Sequence, residues 1–342
     1  MLRPGKLPSA MLAELLAKIT HTDPRVLLGP GIGRDAAVIE MGGRLLVAKM
    51  DPVTFAIDGI GWYAVHVNAN DIACMGAHPR WFLATALLPP GAPDSLPGAI
   101  FDQLTAACAA LGVELVGGHT EVTLGLERPI IAGAMLGEAT RDEIVMGAGI
   151  MPGDRVLLTK GIAIEGTALL AREAGLRLGR LGVPEATIRR AARMLYEPGI
   201  SVVADARAVT AAAKPRLMHD PTEGGLATAL DELAQATGAS VRVDLDAVPV
   251  FDETSAVCAA LGLDPMGLLA SGALLAVVAA ADCERVTAHV IDAGIACIPI
   301  ATIVEGPPRV IMGAEDSAIP LPSFARDELA RFFDDAEGET NQ

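Results

Sequence analysis

Asp35, Asp51, Asp71 and Glu121 are the acidic side chains of the first half whose surroundings suit chemistry. Asp35 lies in GPGIGRDAAVI, Asp51 in VAKMDPVTF and Glu121 in GGHTEVT, each at the mouth or end of a short apolar run. Asp71 lies in Trp62–Trp81, WYAVHVNANDIACMGAHPRW, a helical pattern of small and apolar residues that also carries Asn68 and Asn70. A carboxylate in a core-facing helix is costly unless a cap, a basic side chain or a cation pairs it. Carboxylates converging from strand ends on one helix suit a magnesium–nucleotide site, because Mg2+ takes oxygen ligands and leaves room for phosphates. Each acid taken singly also reads as a strand end or a helix cap. The four together favour the metal reading. His119, next to Glu121, reads as a phosphate donor rather than a ligand, with a core histidine as the plainer alternative.

A second chemical segment is Met218–Gly225, MHDPTEGG. Asp220 followed by Gly224 and Gly225 at a helix start offers free backbone N–H groups and a positive dipole end, a place for phosphate or another anion. A plain capping arrangement fits the same residues. Lys160, at a strand end before a glycine, reads as a point charge for phosphate or as a solvated surface lysine. The glycines at 29, 31 and 33 do not make a dinucleotide fingerprint, since no strand is expected before them and a strand follows. No GxxxxGK[ST] loop occurs.

These residues need elements to hold them. Hydrophobic period places a helix over Ser9–Ile19 and a strand after Asp35. Arg44–Met50 is expected as a strand ended by Asp51-Pro52, Pro52 biasing Asp51 toward extended backbone. The Asp71 helix follows, then a turn at His78-Pro79 and the strand Trp81–Leu88. Next come a helix over Ser95–Leu111, a strand over Val113–Val116 running into Gly117-Gly118-His119-Thr120-Glu121, and a strand over Pro129–Leu136. This is an α+β module with a mixed or antiparallel sheet. Met151-Pro152-Gly153-Asp154 marks a boundary. Beyond it lie a strand at Arg155–Thr159 and helices at Glu165–Ala174, Ser201–Ala213 and Leu226–Thr237. Strands at Val241–Leu245 and Leu274–Ala280, a helix at Cys283–Ala293 and a strand at Ile298–Val304 complete the second half. The expected domains are 1–148, 149–312 and a C-terminal helix with a disordered acidic tail over 313–342.

Composition excludes several functions. A formal charge of −16 opposes duplex binding, which needs a basic surface. Aromatics at 3% argue against stacking platforms for single strands. A bound divalent ion reverses the sign locally, so a nucleotide ligand stays open. The five cysteines, 74, 108, 258, 283 and 297, have no CxxC spacing and read as reduced, buried thiols of a cytoplasmic protein. No signal peptide or membrane span is evident.

The order of motifs is GRDAAVI (33–39), Asp51-Pro52, VNANDIACMGAHP (67–79), GGHT (117–120) and DPTEGGL (220–226). It resembles the aminoimidazole ribonucleotide (AIR) synthase superfamily over roughly residues 25–310. That superfamily includes the hydrogenase maturation factor HypE, thiamine-monophosphate kinase and selenophosphate synthetase, and MHDPTEGGLATAL and LGLDP look most like HypE and AIR synthase-related proteins. The resemblance implies a two-domain PurM-like α+β fold, in which N-terminal mixed-sheet domains pair in a homodimer and a C-terminal α/β domain follows. It implies ATP with Mg2+ between the domains and transfer of the γ-phosphoryl group to an oxygen of a small or carrier-bound substrate.

By motif, Asp35, Asp51, Asp71 and Glu121 fall where the family keeps metal or phosphate contacts. Asp71, His119 and Asp220 fall at the chemistry, and Asp35, Asn70, Gly117, Gly118, Thr120, Lys160, Gly224 and Gly225 at the nucleotide. Departures are Arg34 for an Asp, His119 for the Asp of Gly-Gly-Asp-Thr, Ser271-Gly272 for Glu-Gly, and a chain ending EGETNQ without the terminal cysteine of HypE. An ATP-dependent enzyme that does not become carbamoylated on its own chain is therefore expected. A thiamine-monophosphate-kinase-like kinase and a non-catalytic homodimeric partner are the alternatives.

Overall fold

The structure is a computed structural model that describes residues 7, 9–31, 35–313, 319–321, 323–324 and 326–340. Gly33 and Arg34 of the first motif lie outside the described residues. The chain divides into two compact units, one running from His21 to Ile144 save for residues 31–33, the other taking in Val145 onward together with the N-terminal helix.

After α1 (Ser9–Leu16), the first of these units contains β1 (Val26–Leu28), β2 (Ala37–Glu40), β3 (Leu45–Val53), α2 (Ile60–Cys74), β4 (His78–Leu88), α3 (Leu96–Leu111), β5 (Glu114–Val122) and β6 (Ile130–Ala139). Its sheet has the order β1-β2-β3-β6-β4-β5. Neighbours are antiparallel except β4 and β5, whose parallel pairing requires the crossover through α3. Helix α2 lies on β3, β6 and β4 and against α3. Thirteen of its fifteen residues are buried, so packing on the sheet, and not a polar outer face, holds it.

Several strand ends differ from the expectation. β3 continues through Asp51 and Pro52 to Val53, paired with β6 throughout. Its pairing with β2 stops at Ala48, so Pro52 lies where one flank of the strand has no neighbour and its missing N–H breaks no ladder. His78 and Pro79 belong to β4 and are not a turn. Pro79 sits beside a bulge, ahead of the point where β5 begins to pair. Gly117–Glu121 is strand, not loop. β1 directly precedes the glycines, contrary to expectation, and pairs antiparallel with β2.

The other unit contains β7 (Arg155–Thr159), α4 (Ile164–Glu173), α5 (Gly175–Arg180), α6 (Glu185–Arg193), α7 (Val203–Ala212), β8 (Leu217–His219), α8 (Gly225–Thr237), β9 (Ser240–Val243), α9 (Asp252–Leu261), β10 (Leu275–Val278), α10 (Cys283–Asp292), β11 (Cys297–Val304), β12 (Arg309–Met312), β13 (Ile319–Pro320) and α11 (Glu328–Thr340). The sheet order is β13-β12-β9-β11-β7-β10-β8, with β9 and β12 the parallel pair. Leu226, Leu230 and Leu233 of α8 close its core over Val156, Leu158, Val241 and Ile303. The acidic end, expected to be disordered, is helical as far as Thr340, with Leu329, Ala330 and Phe332 buried as its anchor. Among the described residues no helix is long and apolar enough to cross a membrane.

Candidate functional site

Lys49 organises the acids of the first unit. Alternation along β3 puts Lys49 and Asp51 on one face, and the Nζ of Lys49 lies 3.2 Å from Asp51 Oδ2 and 3.2 Å from Asp71 Oδ2. Burial works against the ammonium. Asp71 first, then Asp51 and Asp35, outweigh it and hold the Lys49 pKa above the ordinary lysine value. Asp51 and Asp71 thus meet at Lys49, with the charge of Asp35 also felt there, around a lysine that the motif reading passed over. The signal was present in Lys49-x-Asp51, the strand repeat of two.

Asn68 locks this arrangement. Its Oδ1 accepts from the Asp51 backbone N–H at 2.8 Å, and its Nδ2 donates to the Asp51 carbonyl at 3.2 Å and to Ala64 O at 2.8 Å. One side-chain amide therefore completes the ladder where β2 has ended, and ties α2 to β3 one turn from Asp71. Asn70 is fully buried but stands about 200° around the helix from Asn68, away from the acid face. Asn68→Ala should leave a buried N–H and C=O unsatisfied and lower the unfolding free energy of this unit by about 2 kcal/mol. A thermal melt of that variant checks the figure.

Glu121, His119 and Thr120 are elsewhere. They lie on β5, three strand spacings from β3, or about 14 Å across the sheet, so this chain does not bring Glu121 to Asp51. His119 Nε2 and Glu121 Oε2 are 3.2 Å apart, both exposed. Hydrogen bonds from Thr123 and His119 hold the Glu121 pKa below the ordinary carboxylate value. Gly118 has φ 151°, and a Cβ there would sit inside the Ala84 carbonyl of β4. The glycine thus serves the β4–β5 pairing. Gly118→Ala should cost about 3 kcal/mol, read as a lower thermal midpoint. Gly117 lines, with Phe101, Leu104, Leu115 and Val116, a groove of about 380 Å3 between α3 and this edge strand.

In the other unit, Lys160 is neither a surface lysine nor open to a ligand. Its Nζ donates to Ser201 O at 2.7 Å and to Asp205 Oδ2 at 3.2 Å, and burial lowers its pKa against the pull of Asp205. Asp220 is fully buried after β8. Gly225 (φ 66°) opens α8 so close to the loop after α9 that a Cβ would overlap the Met266 carbonyl. Gly224 N–H donates at 2.6 Å to Asp327 Oδ2. Two carboxyls here went unread in the sequence. Burial pushes Glu165 up to about 7, with Asp327 and Asp220 adding to the rise. Burial pushes Asp327 to about 6 despite the Gly224 and Leu329 amides.

Two family models account for most of the chain. The N-terminal domain of AIR synthase related proteins matches residues 33–139 and the C-terminal domain matches 151–313. The chain belongs to the AIR synthase related family. Carbamoyl dehydratase HypE of Cupriavidus necator is 31% identical to this AIR synthase related chain over 264 residues, covering 75% of it and 72% of the relative. Two solved structures share the AIR synthase related fold. One is a HypE–HypF complex (TM-score 0.72, 20% identity, 92% of this chain and 100% of that one). The other is a hydrogenase maturation protein HypE in complex with ATP (TM-score 0.66, 22% identity, 93% and 91%).

Proposed function

We propose that this chain is an ATP-dependent enzyme that activates an oxygen of a small or carrier-bound substrate by phosphoryl transfer. The observation that carries the reading is the convergence of Asp35, Asp51 and Asp71 on Lys49. The donor set fits Mg2+, since all three are hard carboxylate oxygens. Among the described residues no three acid, histidine or cysteine side chains form a ready metal cage. Mg2+ keeps water and needs only one or two carboxylates plus phosphates. Bound there, magnesium ATP supplies the γ-phosphoryl group and offsets its charge. Asp35 and Asp51, both half-buried, would hold the ion, and Lys49 offers a point charge to phosphate. Buried Asp71 aims Lys49. Asp71→Ala leaves Lys49 paired with Asp51, so the fold should persist while magnesium-ATP affinity falls about tenfold, roughly 1.4 kcal/mol, in calorimetry. Unchanged affinity would sink the assignment.

The name of the Cupriavidus relative supports a carbamoyl or amide oxygen as the group activated, and the HypE–HypF complex supports a protein that presents it. Four of the five thiols are poor acceptors, while Cys283, expected to be buried, is only partly so. Cys74, Cys108, Cys258 and Cys297 are buried, and burial raises Cys108 and Cys297 to about 11 and Cys258 to about 12. No cysteine adduct is expected by intact mass after incubation with ATP and a carbamoyl donor protein.

A homodimer through β5 belongs to the same reading. β5 is a nine-residue edge strand, almost wholly exposed, with Val116 at 54% and Val122 at 66%. A long exposed edge strand invites a second strand, and a copy of the chain supplies it. Light scattering at micromolar concentration should give a dimer, and Val122→Lys should shift it toward monomer.

A further inference from the structure

Lys49 stands between two carboxylates that are not equivalent. The Asp71 side chain on α2 is 5% exposed, whereas the Asp51 side chain on β3 is 35% exposed. The buried acid cannot do without a counter-charge, while water or an ion can serve the open one. An ammonium carries three protons, and two suffice for the carboxylates 3.2 Å away on either side. The third is left for another acceptor.

The three groups also differ in freedom. Asp51 opposes Gly133 on β6, and a Cβ at Gly133 would lie 2.7 Å from Asn68 Nδ2. The bare glycine makes room for the Asn68 amide, which binds both the N–H and the carbonyl of Asp51 and pins that backbone. Asp71 is fixed in a helix buried against the sheet. Of the three side chains only Lys49 carries a flexible four-carbon stem. Whatever rearranges here is the ammonium.

Its place bears on a divalent ion. Mg2+ on Asp51 needs a carboxylate oxygen at about 2.1 Å, and an ammonium beside the same carboxylate repels it. A phosphate changes that balance, because it offers the ammonium another charged acceptor and brings negative charge to the ion. Lys49 can then let go of Asp51 and keep Asp71.

We propose that Lys49 is the resident counter-ion of the acid site, a positioning residue that makes uptake of a divalent ion conditional on nucleotide phosphate. Without nucleotide, Lys49 holds Asp51 against a lone ion. With it, Lys49 stays on Asp71, turns to the phosphate and frees Asp51. The role rests on the magnesium-nucleotide reading of the first unit and adds the order in which the site fills.

Mn2+ titrated into the full chain, read as loss of the free-ion electron paramagnetic signal, tests the role without turnover. Lys49→Met combined with Asp71→Asn loses the ammonium and keeps Asp35 and Asp51. With no nucleotide it should bind Mn2+ about tenfold tighter than wild type, within the usual span of coupling between sites. Lys49→Arg keeps the positive charge and should bind the lone ion no better than wild type. A lysine that served packing alone would not raise ion affinity on removal. Equal lone-ion affinity in wild type and the double variant overturns the proposal, and so does an equal gain in Lys49→Arg. Should the double variant not fold, Lys49→Gln with Asp71→Asn takes its place. Calorimetry of wild type with Mg2+ and the non-hydrolysable analogue AMPPCP separates the two readings. No binding there overturns the nucleotide reading and this role with it. Binding there, with equal lone-ion affinities, overturns the role of Lys49 alone.

Discussion

Lys49→Met is expected to destabilise the first unit by about 3 kcal/mol at neutral pH, the usual loss when one partner of a buried ion pair is removed. Asp71, 4% exposed, then keeps a charge with no ammonium to meet it. The Lys49 pKa is raised in the folded chain, so its contribution to stability is complete below the ordinary lysine value and is lost only as pH rises through the higher folded value. Near neutrality the variant therefore shows the whole effect. Acidification should shrink the deficit, because Asp71 can take up a proton. Lys49→Met combined with Asp71→Asn should recover most of the loss, since it removes both charges together. Denaturant unfolding of the wild type, both single variants and the double, at neutral and mildly acid pH, closes the cycle. A double variant as unstable as Lys49→Met would show that packing of the lysine stem, not the charge, carries the effect.

Glu165→Gln should act in the opposite direction. The Glu165 pKa rises from 4.5 to about 7 on folding, so the native state keeps its proton over a range in which the unfolded chain has lost it. Stability therefore falls as pH rises from about 4.5 to about 7, then stays low by ~3 kcal/mol at 1.36 kcal/mol per unit. The glutamine variant carries no such penalty. At pH 8 it should be more stable than wild type by up to ~3 kcal/mol, and at pH 4 the two should agree. Unfolding of the second unit followed by hydrogen exchange in α4 and α8 measures both. A pH-independent difference would mean that the substituted amide merely packs differently.

Much of the fold follows from local pattern. The apolar repeats in Trp62–Trp81, Glu165–Ala174 and Leu226–Thr237 contain most of α2, α4 and α8, because a helix face and a strand face are written at fixed sequence spacing. The acids Asp35, Asp51 and Asp71 were legible for the same reason, as carboxylates where apolar runs end or turn inward. Strand ends were not. Pro52 and Pro79 read as breakers, yet both sit in strands at points where one flank is unpaired, which is a property of the sheet and not of the residue.

Strand order was equally hidden. Glu121 sits in a segment much like those of the other acids, but β6 and β4 lie between its strand and β3, and only the assembled sheet sets that separation. The contact of Gly224 with Asp327 joins residues 103 positions apart. No periodicity spans that distance, and the raised pKa values of Glu165 and Asp327 come from burial, which exists only once the chain has closed over them. The sequence by itself determined which residues carry charge and which faces turn inward. The tertiary structure decided which of those charges meet.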